Sequence, residues 1–146
     1  MNESRVFPRI RLSIQSRLDH VFLVGKSAWA LSRYAGFGES EADSIELCLV
    51  EAVTNAIQHG YRGEKDHSVD IDIILFSDRI SLVVSHGGQG PLHVPKEPSE
   101  VDITDARSLP ESGMGLSIIR RVMDHMTYAT HGNVHVWTME KRRSDE

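Results

Sequence analysis

The sequence predicts a two-layer α+β sandwich, with helices packed on one face of a sheet. Three observations predict it. Period-2 alternation of apolar and polar residues appears near the N-terminus, in the middle and near the C-terminus of the chain. Helical periodicity fills two stretches after the first strand and one before the last two. The strands otherwise come as consecutive pairs, so helices interleave with antiparallel hairpins rather than alternating one-to-one with parallel strands.

Ile10, Leu12 and Ile14 alternate with Arg9, Arg11 and Ser13, which is the pattern of a half-buried strand. A helix is expected from Arg17 to about Ala35, with Leu18, Val21, Phe22, Ala28, Trp29 and Leu31 on its apolar face. Gly36-Phe37-Gly38 breaks it. Ser40, followed by Glu41 and Asp43, suits the start of a second helix, since acidic residues favour the positive end of the helix dipole. That helix runs to Gly60. Val69, Ile71, Ile73 and Leu75 then alternate with Asp70 and Asp72. Ser77-Asp78 turns the chain, and Ile80, Leu82 and Val84 complete a hairpin.

Gly87-Gly88-Gln89-Gly90 ends the hairpin. Residues 91–112 hold Pro91, Pro95, Pro98 and Pro110 and no periodicity, and a structureless stretch of about 20 residues in a compact domain suggests a lid. Gly113-Met114-Gly115 opens a third helix through Leu116, Ile119, Val122, Met123 and Met126. Two strands follow, around Met126–Thr130 and Val134–Met139, joined at His131-Gly132-Asn133. The charged tail Lys141–Glu146 is expected to fray.

Composition narrows the functional classes. The 146 residues suit one stand-alone domain over 1–146 with a substantial core. A formal net charge of -5 argues against affinity for a phosphate backbone, and so against direct nucleic-acid binding. No stretch approaches the roughly 20 apolar residues that cross a bilayer, and the N-terminus lacks a signal-peptide core. A cytoplasmic protein with no membrane association is expected. The single cysteine, Cys48, forms no internal disulfide and reads as core filler. The eight histidines show no zinc-like spacing, and Trp29 and Trp137 read as packing.

The most informative segment is Glu51-Ala-Val-Thr-Asn55-Ala-Ile-Gln-His59-Gly60-Tyr61. Glu51, Asn55 and His59 follow at i+4 spacing, which brings all three near one helix face. The other face, through Ile45, Leu49, Ala52 and Ala56, is apolar. A carboxylate and a carboxamide one turn apart can hold a hard cation such as Mg²⁺ beside a proton acceptor. Gly88 and Gly90 at a strand end permit close approach of a ligand to the backbone. Gly113 and Gly115 at a helix start expose amides that suit phosphate. Together these form the plan of a nucleotide site, with a lid between its glycine clusters.

On these motifs the chain resembles the GHKL ATPase superfamily, the Bergerat-fold group, and within it the serine-kinase anti-sigma factors. Glu51 to Gly60 resembles the N-box, Ser112-Gly113-Met114-Gly115-Leu116 the G2 box, and His86-Gly87-Gly88-Gln89-Gly90 stands at the G1 box, usually D-x-G-x-G. The resemblance covers nearly the whole chain and implies a mixed, mostly antiparallel sheet. It implies ATP and Mg²⁺ as cofactors, with Asn55 as metal ligand and Glu51 as general base toward a serine hydroxyl. His59, His86, Gly88, Gly90, Gly113, Met114, Gly115 and Leu116 would complete the nucleotide site. A sigma factor, a STAS-domain anti-anti-sigma protein and a second copy of the chain are the implied partners.

Two positions depart from the pattern, both on the adenine side. The G1 aspartate, which in the family accepts a hydrogen bond from the adenine amino group, is His86. The family's Gly-Thr in the final hairpin is Gly132-Asn133. These departures motivate an alternative function, a partner-switching module of the same fold without catalysis.

Overall fold

The computed structural model describes residues 7–89, 99–101 and 116–144. Its strands are β1 (Arg9–Gln15), β2 (Ser68–Leu75), β3 (Arg79–His86), β4 (Ser99–Val101), β5 (His125–His131) and β6 (Val134–Arg142). The helices are α1 (Val21–Tyr34), entered through a 3₁₀ turn at Leu18–His20, α2 (Glu39–Asn55) and α3 (Leu116–Val122). The sheet order is β1-β2-β3-β6-β5-β4. Every pairing among the described strands is antiparallel, so the expected admixture of parallel pairing is absent there.

The alternation read from sequence decides which face is covered. Val69, Ile71, Ile73 and Leu75 of β2, with Ile80, Leu82 and Val84 of β3, are buried against the helices. From α2 come Ile45, Cys48, Leu49 and Val53, all fully buried. Asp70, paired with Ser85, and Asp72, paired with Val83, lie on the opposite face. There Asp72 takes a two-toothed ion pair from Arg11 at 2.7 and 3.0 Å, which holds its carboxyl below the ordinary carboxylate range.

Helix α1 ends as Gly36 predicts. Gly36 sits at φ +101°, Phe37 N–H donates to Ser32 O at 3.0 Å, and Gly36 N–H donates to Arg33 O at 3.0 Å, a left-handed glycine cap. Phe37 is buried behind it. At the start of α2, Gly38 rather than Ser40 is the cap, and its N–H donates to Glu41 Oε1 at 3.4 Å. The α1 face differs from expectation. Val21, Val24, Gly25, Ala28 and Ser32 form the buried stripe, while Leu18 and Phe22 lie one turn apart on the solvent side, 49% and 59% exposed. Gly25 decides this, because a Cβ there would come within 2.6 Å of Val50 Cγ2, and only its absence lets α1 lie close on α2.

Two further expectations are corrected. Inside the stretch 91–112, Ser99–Val101 forms β4 and pairs with Met126–Tyr128 of β5. The rest of that stretch lies outside the described residues. The tail does not fray through residue 144: β6 reaches Arg142, Arg143 N–H donates to Asp78 O at 2.8 Å, and its guanidinium donates to Ala35 O at 2.7 Å. Residues 145 and 146 lie outside the described residues. Arg143→Ala should therefore lower stability by about 1 kcal/mol in a urea titration, the worth of one charge-assisted hydrogen bond near the surface; an unchanged midpoint would mean that the tail is not tied.

Candidate functional site

Helix α2 carries the acid and the amide where the spacing put them. Glu51 and Asn55 are both half-buried, on a helix whose Ile45, Leu49 and Val53 face the core. Beyond Asn55 the helix changes pitch. Ala56–Gly60 is a π-helical turn, with Tyr61 N–H donating to Ala56 O at 3.0 Å. A π turn adds a residue per turn and swings the following side chains back around the axis. His59 lies exposed within this turn.

The widened turn aims Gly60 at the end of β3. Gln89 N–H donates to Gly60 O at 2.6 Å. A Cβ on Gly88 would collide with the Gly60 carbonyl and come within 2.9 Å of Tyr61 Cδ1. A Cβ on Gly60 would come within 2.6 Å of His86 Cε1 and 2.8 Å of His86 Nδ1. Both glycines are required by this approach of backbone to backbone. Tyr61 braces it from below. Its hydroxyl donates to Ser68 O and accepts from Gly87 N–H, each at 2.7 Å, and its ring stacks on His67 at 4.4 Å between centroids.

His86 is 5% exposed, on the helical face of the sheet, edge-on to Tyr61 and 5.2 Å from the His135 ring. Gly88 N–H donates to its Nδ1 at 3.2 Å. A ring nitrogen that accepts carries no proton, so in the neutral imidazole the proton sits on Nε2. Burial first, and then the neighbouring His135, lower its pKa to about 4. His135 is held in turn by a 2.7 Å hydrogen bond between its Nδ1 and the Tyr128 hydroxyl. The ring system His67, Tyr61, His86, His135, Tyr128 and Trp137 thus crosses the sheet as one row of contacts.

Gly90, Gly113, Met114 and Gly115 lie outside the described residues, and Leu116 is placed as the first residue of α3. The sequence reading missed the roles of Gly60 and Tyr61 in closing the strand end, and that of His135 beside His86. Gly60-Tyr61 directly after the Glu51 helix was the available signal. Other expectations hold in detail. Cys48 is fully buried, its thiol pushed up to about 12 by that burial. Trp29 is partly buried and donates to Asp43, and Trp137 packs on the core. His125 and His131 are exposed, apart from the buried His86.

An acid and an amide thus share one helix, with a glycine strand end packed on the turn that follows. The chain belongs to the histidine kinase-like ATPase domain family, which matches residues 14–140. Its relatives are serine kinases and anti-sigma factors. The serine-protein kinase RsbW of Listeria monocytogenes is 28% identical over 120 residues, covering 80% of this chain and 76% of that protein. The anti-sigma F factor of Oceanobacillus iheyensis is 38% identical over 84 residues, 58% of this chain and 57% of that one. The crystal structure of the RsbU and RsbW domains of Rv1364c from Mycobacterium tuberculosis superposes with a TM-score of 0.64 at 15% identity, over 95% of this chain and 33% of that chain, and shows the same fold.

Two predictions follow from the geometry of the strand end. Gly88→Ala should destabilise the protein by about 1–3 kcal/mol in denaturant, because the Gly60 carbonyl must move to admit a methyl group; a neutral effect would show that the two backbones are not in contact. For His86 the folded pKa lies near 4 and the unfolded value near 6.5. Between those values the unfolded chain binds the extra proton, so stability should fall as pH falls through that window, by about 3 kcal/mol in all. Denaturation at pH 7, 5.5 and 4 should show a steeper loss for the wild type than for His86→Asn, and parallel curves would contradict the assignment.

Proposed function

We propose that the protein is an anti-sigma factor with ATP-dependent serine kinase activity. In this reading it works in the cytoplasm as a homodimer, sequesters a sigma factor and phosphorylates a STAS-domain antagonist on serine. The carrying observation is the half-buried pair Glu51 and Asn55 on α2, in a chain of the histidine kinase-like ATPase family whose relatives are named as serine kinases and anti-sigma factors. Two oxygen-bearing side chains one turn apart suit a hard divalent cation. The donor set on the metal side therefore fits Mg²⁺, with Asn55 Oδ1 as the ligand. Bound Mg²⁺-ATP supplies the γ-phosphoryl group and neutralises its charge.

The chain's own residues do the rest. Glu51 accepts the proton of the serine hydroxyl as that oxygen attacks, a role that needs a carboxylate within hydrogen-bond reach of the substrate. Gly88 lets the turn after α2 close on the strand end, which sets the Glu51 and Asn55 pair against the sheet. Amides of Gly113, Met114, Gly115 and Leu116 at the start of α3 would hold phosphate oxygens. Gly90 and His59 would flank the same site, and a lid within the stretch 91–112, outside the strand Ser99–Val101, would exclude water from it.

A second reading has its own observation. His86 offers no free acceptor where the family aspartate accepts from adenine, which favours a partner-switching module that binds sigma factor without catalysis. Labelled Mg²⁺-ATP and a candidate STAS-domain protein separate the two. The kinase reading expects phosphoserine on the antagonist, abolished by Asn55→Ala and reduced about 100-fold or more by Glu51→Ala, with helical content unchanged by circular dichroism. Sigma-factor binding without any phosphate transfer would establish the second reading instead.

A further inference from the structure

Among the described residues the sheet has two edges, and they are finished differently. At one, β4 is three residues long, and so short an edge strand offers another chain little to pair with. At the other, β1 runs for seven residues in unbroken register with β2 and holds neither bulge nor proline. Its inward-facing side chains Ile10, Leu12 and Ile14 pack against the core, so no inward-pointing charge guards this edge. Arg11 is drawn back onto Asp72.

The hydrogen bonds show which groups the edge presents. Leu75 N–H donates to Pro8 O at 2.9 Å and Ser16 N–H to His67 O at 2.8 Å, both in the β1–β2 register. Even-numbered residues of β1 therefore bond to β2, while the N–H and C=O of Arg9, Arg11, Ser13 and Gln15 point away from the sheet. An antiparallel copy of the same strand must then meet it odd residue to odd residue. Centred on Leu12, such a pair uses all seven residues: Arg9 faces Gln15, Ile10 faces Ile14, Arg11 faces Ser13, and Leu12 faces itself. Apolar meets apolar, and no charge meets its like. Moving the centre to Arg11 would set that guanidinium against its own copy. The strand is thus its own complement, as a two-fold contact requires.

The two-fold axis through Leu12 stands perpendicular to the sheet, so both helical layers lie on one side of it. The chain passes from β1 directly into the start of α1, where Leu18, Phe22 and Leu23 are exposed. This apolar surface stands beside the strand end where Ile14 of one copy would meet Ile10 of the other. We propose that β1 is the homodimer interface, pairing two copies about Leu12 into one continuous sheet. The proposal rests on the homodimer of the reading above and says where its two copies meet.

Sedimentation equilibrium of the full chain tests it, with Ser13→Arg to separate the interface from the fold. Within one copy position 13 faces Asp70, so an arginine there gains a partner; across the axis it faces Arg11, twice by symmetry. The wild type should be a dimer, and Ser13→Arg should weaken it about fivefold or more while the urea midpoint holds or rises. Ser13→Pro removes an N–H that points out of the sheet, and should weaken the dimer about tenfold or more. Leu12→Cys should form a disulfide-linked dimer under mild oxidation, because the pair at the axis brings its Cα atoms to about 4.5 Å. Ile10→Cys, which faces position 14 of the other copy, should not. A dimer as tight in both Ser13 variants as in the wild type, or one that Leu12→Cys fails to link, would overturn the proposal and leave the homodimer standing on another surface. A wild type that stays monomeric would overturn the proposal together with the homodimer beneath it.

Discussion

The contact on which the rest depends is the meeting of two glycines, Gly60 at the end of α2 and Gly88 at the end of β3. No side chain separates them, and the Gln89 N–H bond to Gly60 O closes the gap at 2.6 Å. This approach requires the helix to finish as a π turn, because an α-helical turn would carry the Gly60 carbonyl around the axis. Tyr61, edge-on to the His86 ring, and that ring itself lie directly against the paired backbones. Through this one contact the helix bearing Glu51 and Asn55 is registered against the sheet.

The same contact keeps position 86 apart from the Glu51 and Asn55 pair. The acid and amide of α2 sit before the π turn and are independent of what occupies position 86. The imidazole is held by its own turn, with Gly88 N–H on Nδ1 and Gly60 against its edge. Replacing a carboxylate by this ring removes a charge from a buried place, where an isolated charge is costly, and adds a donor. Burial and His135 keep the ring neutral. Position 86 and the α2 pair thus lie on separate elements, and a change at one leaves the other in place.

Much of the fold was legible in the sequence because it follows local periodicity. The β2–β3 hairpin, the Gly36 stop and the buried faces of α2 and the central strands follow from alternation and from single glycines. The i+4 spacing of Glu51 and Asn55 was legible for the same reason. What was not legible comes from tertiary pairing. β4 is a strand because β5 offers it a partner, and three residues in a proline-rich stretch carry no period of their own. Arg143 is held by Ala35 and Asp78, both distant in sequence. The helix ends in a π turn packed on Gly88, some thirty residues on, which no helical wheel contains. Phe22 and Leu18 passed as core because apolar side chains alone do not reveal which face a close-packing Gly25 selects.

The central claim is that His86 is a neutral imidazole with its proton on Nε2 and Nδ1 bound to the Gly88 amide. Long-range ¹H–¹⁵N correlation spectra of the ¹⁵N-histidine-labelled protein, assigned with His86→Asn and recorded from pH 7.5 to 5, measure both properties directly. The account predicts an unprotonated, accepting Nδ1, a protonated Nε2 and no titration of this ring over that range. A proton on Nδ1, or a titration midpoint near 6.5, would contradict it.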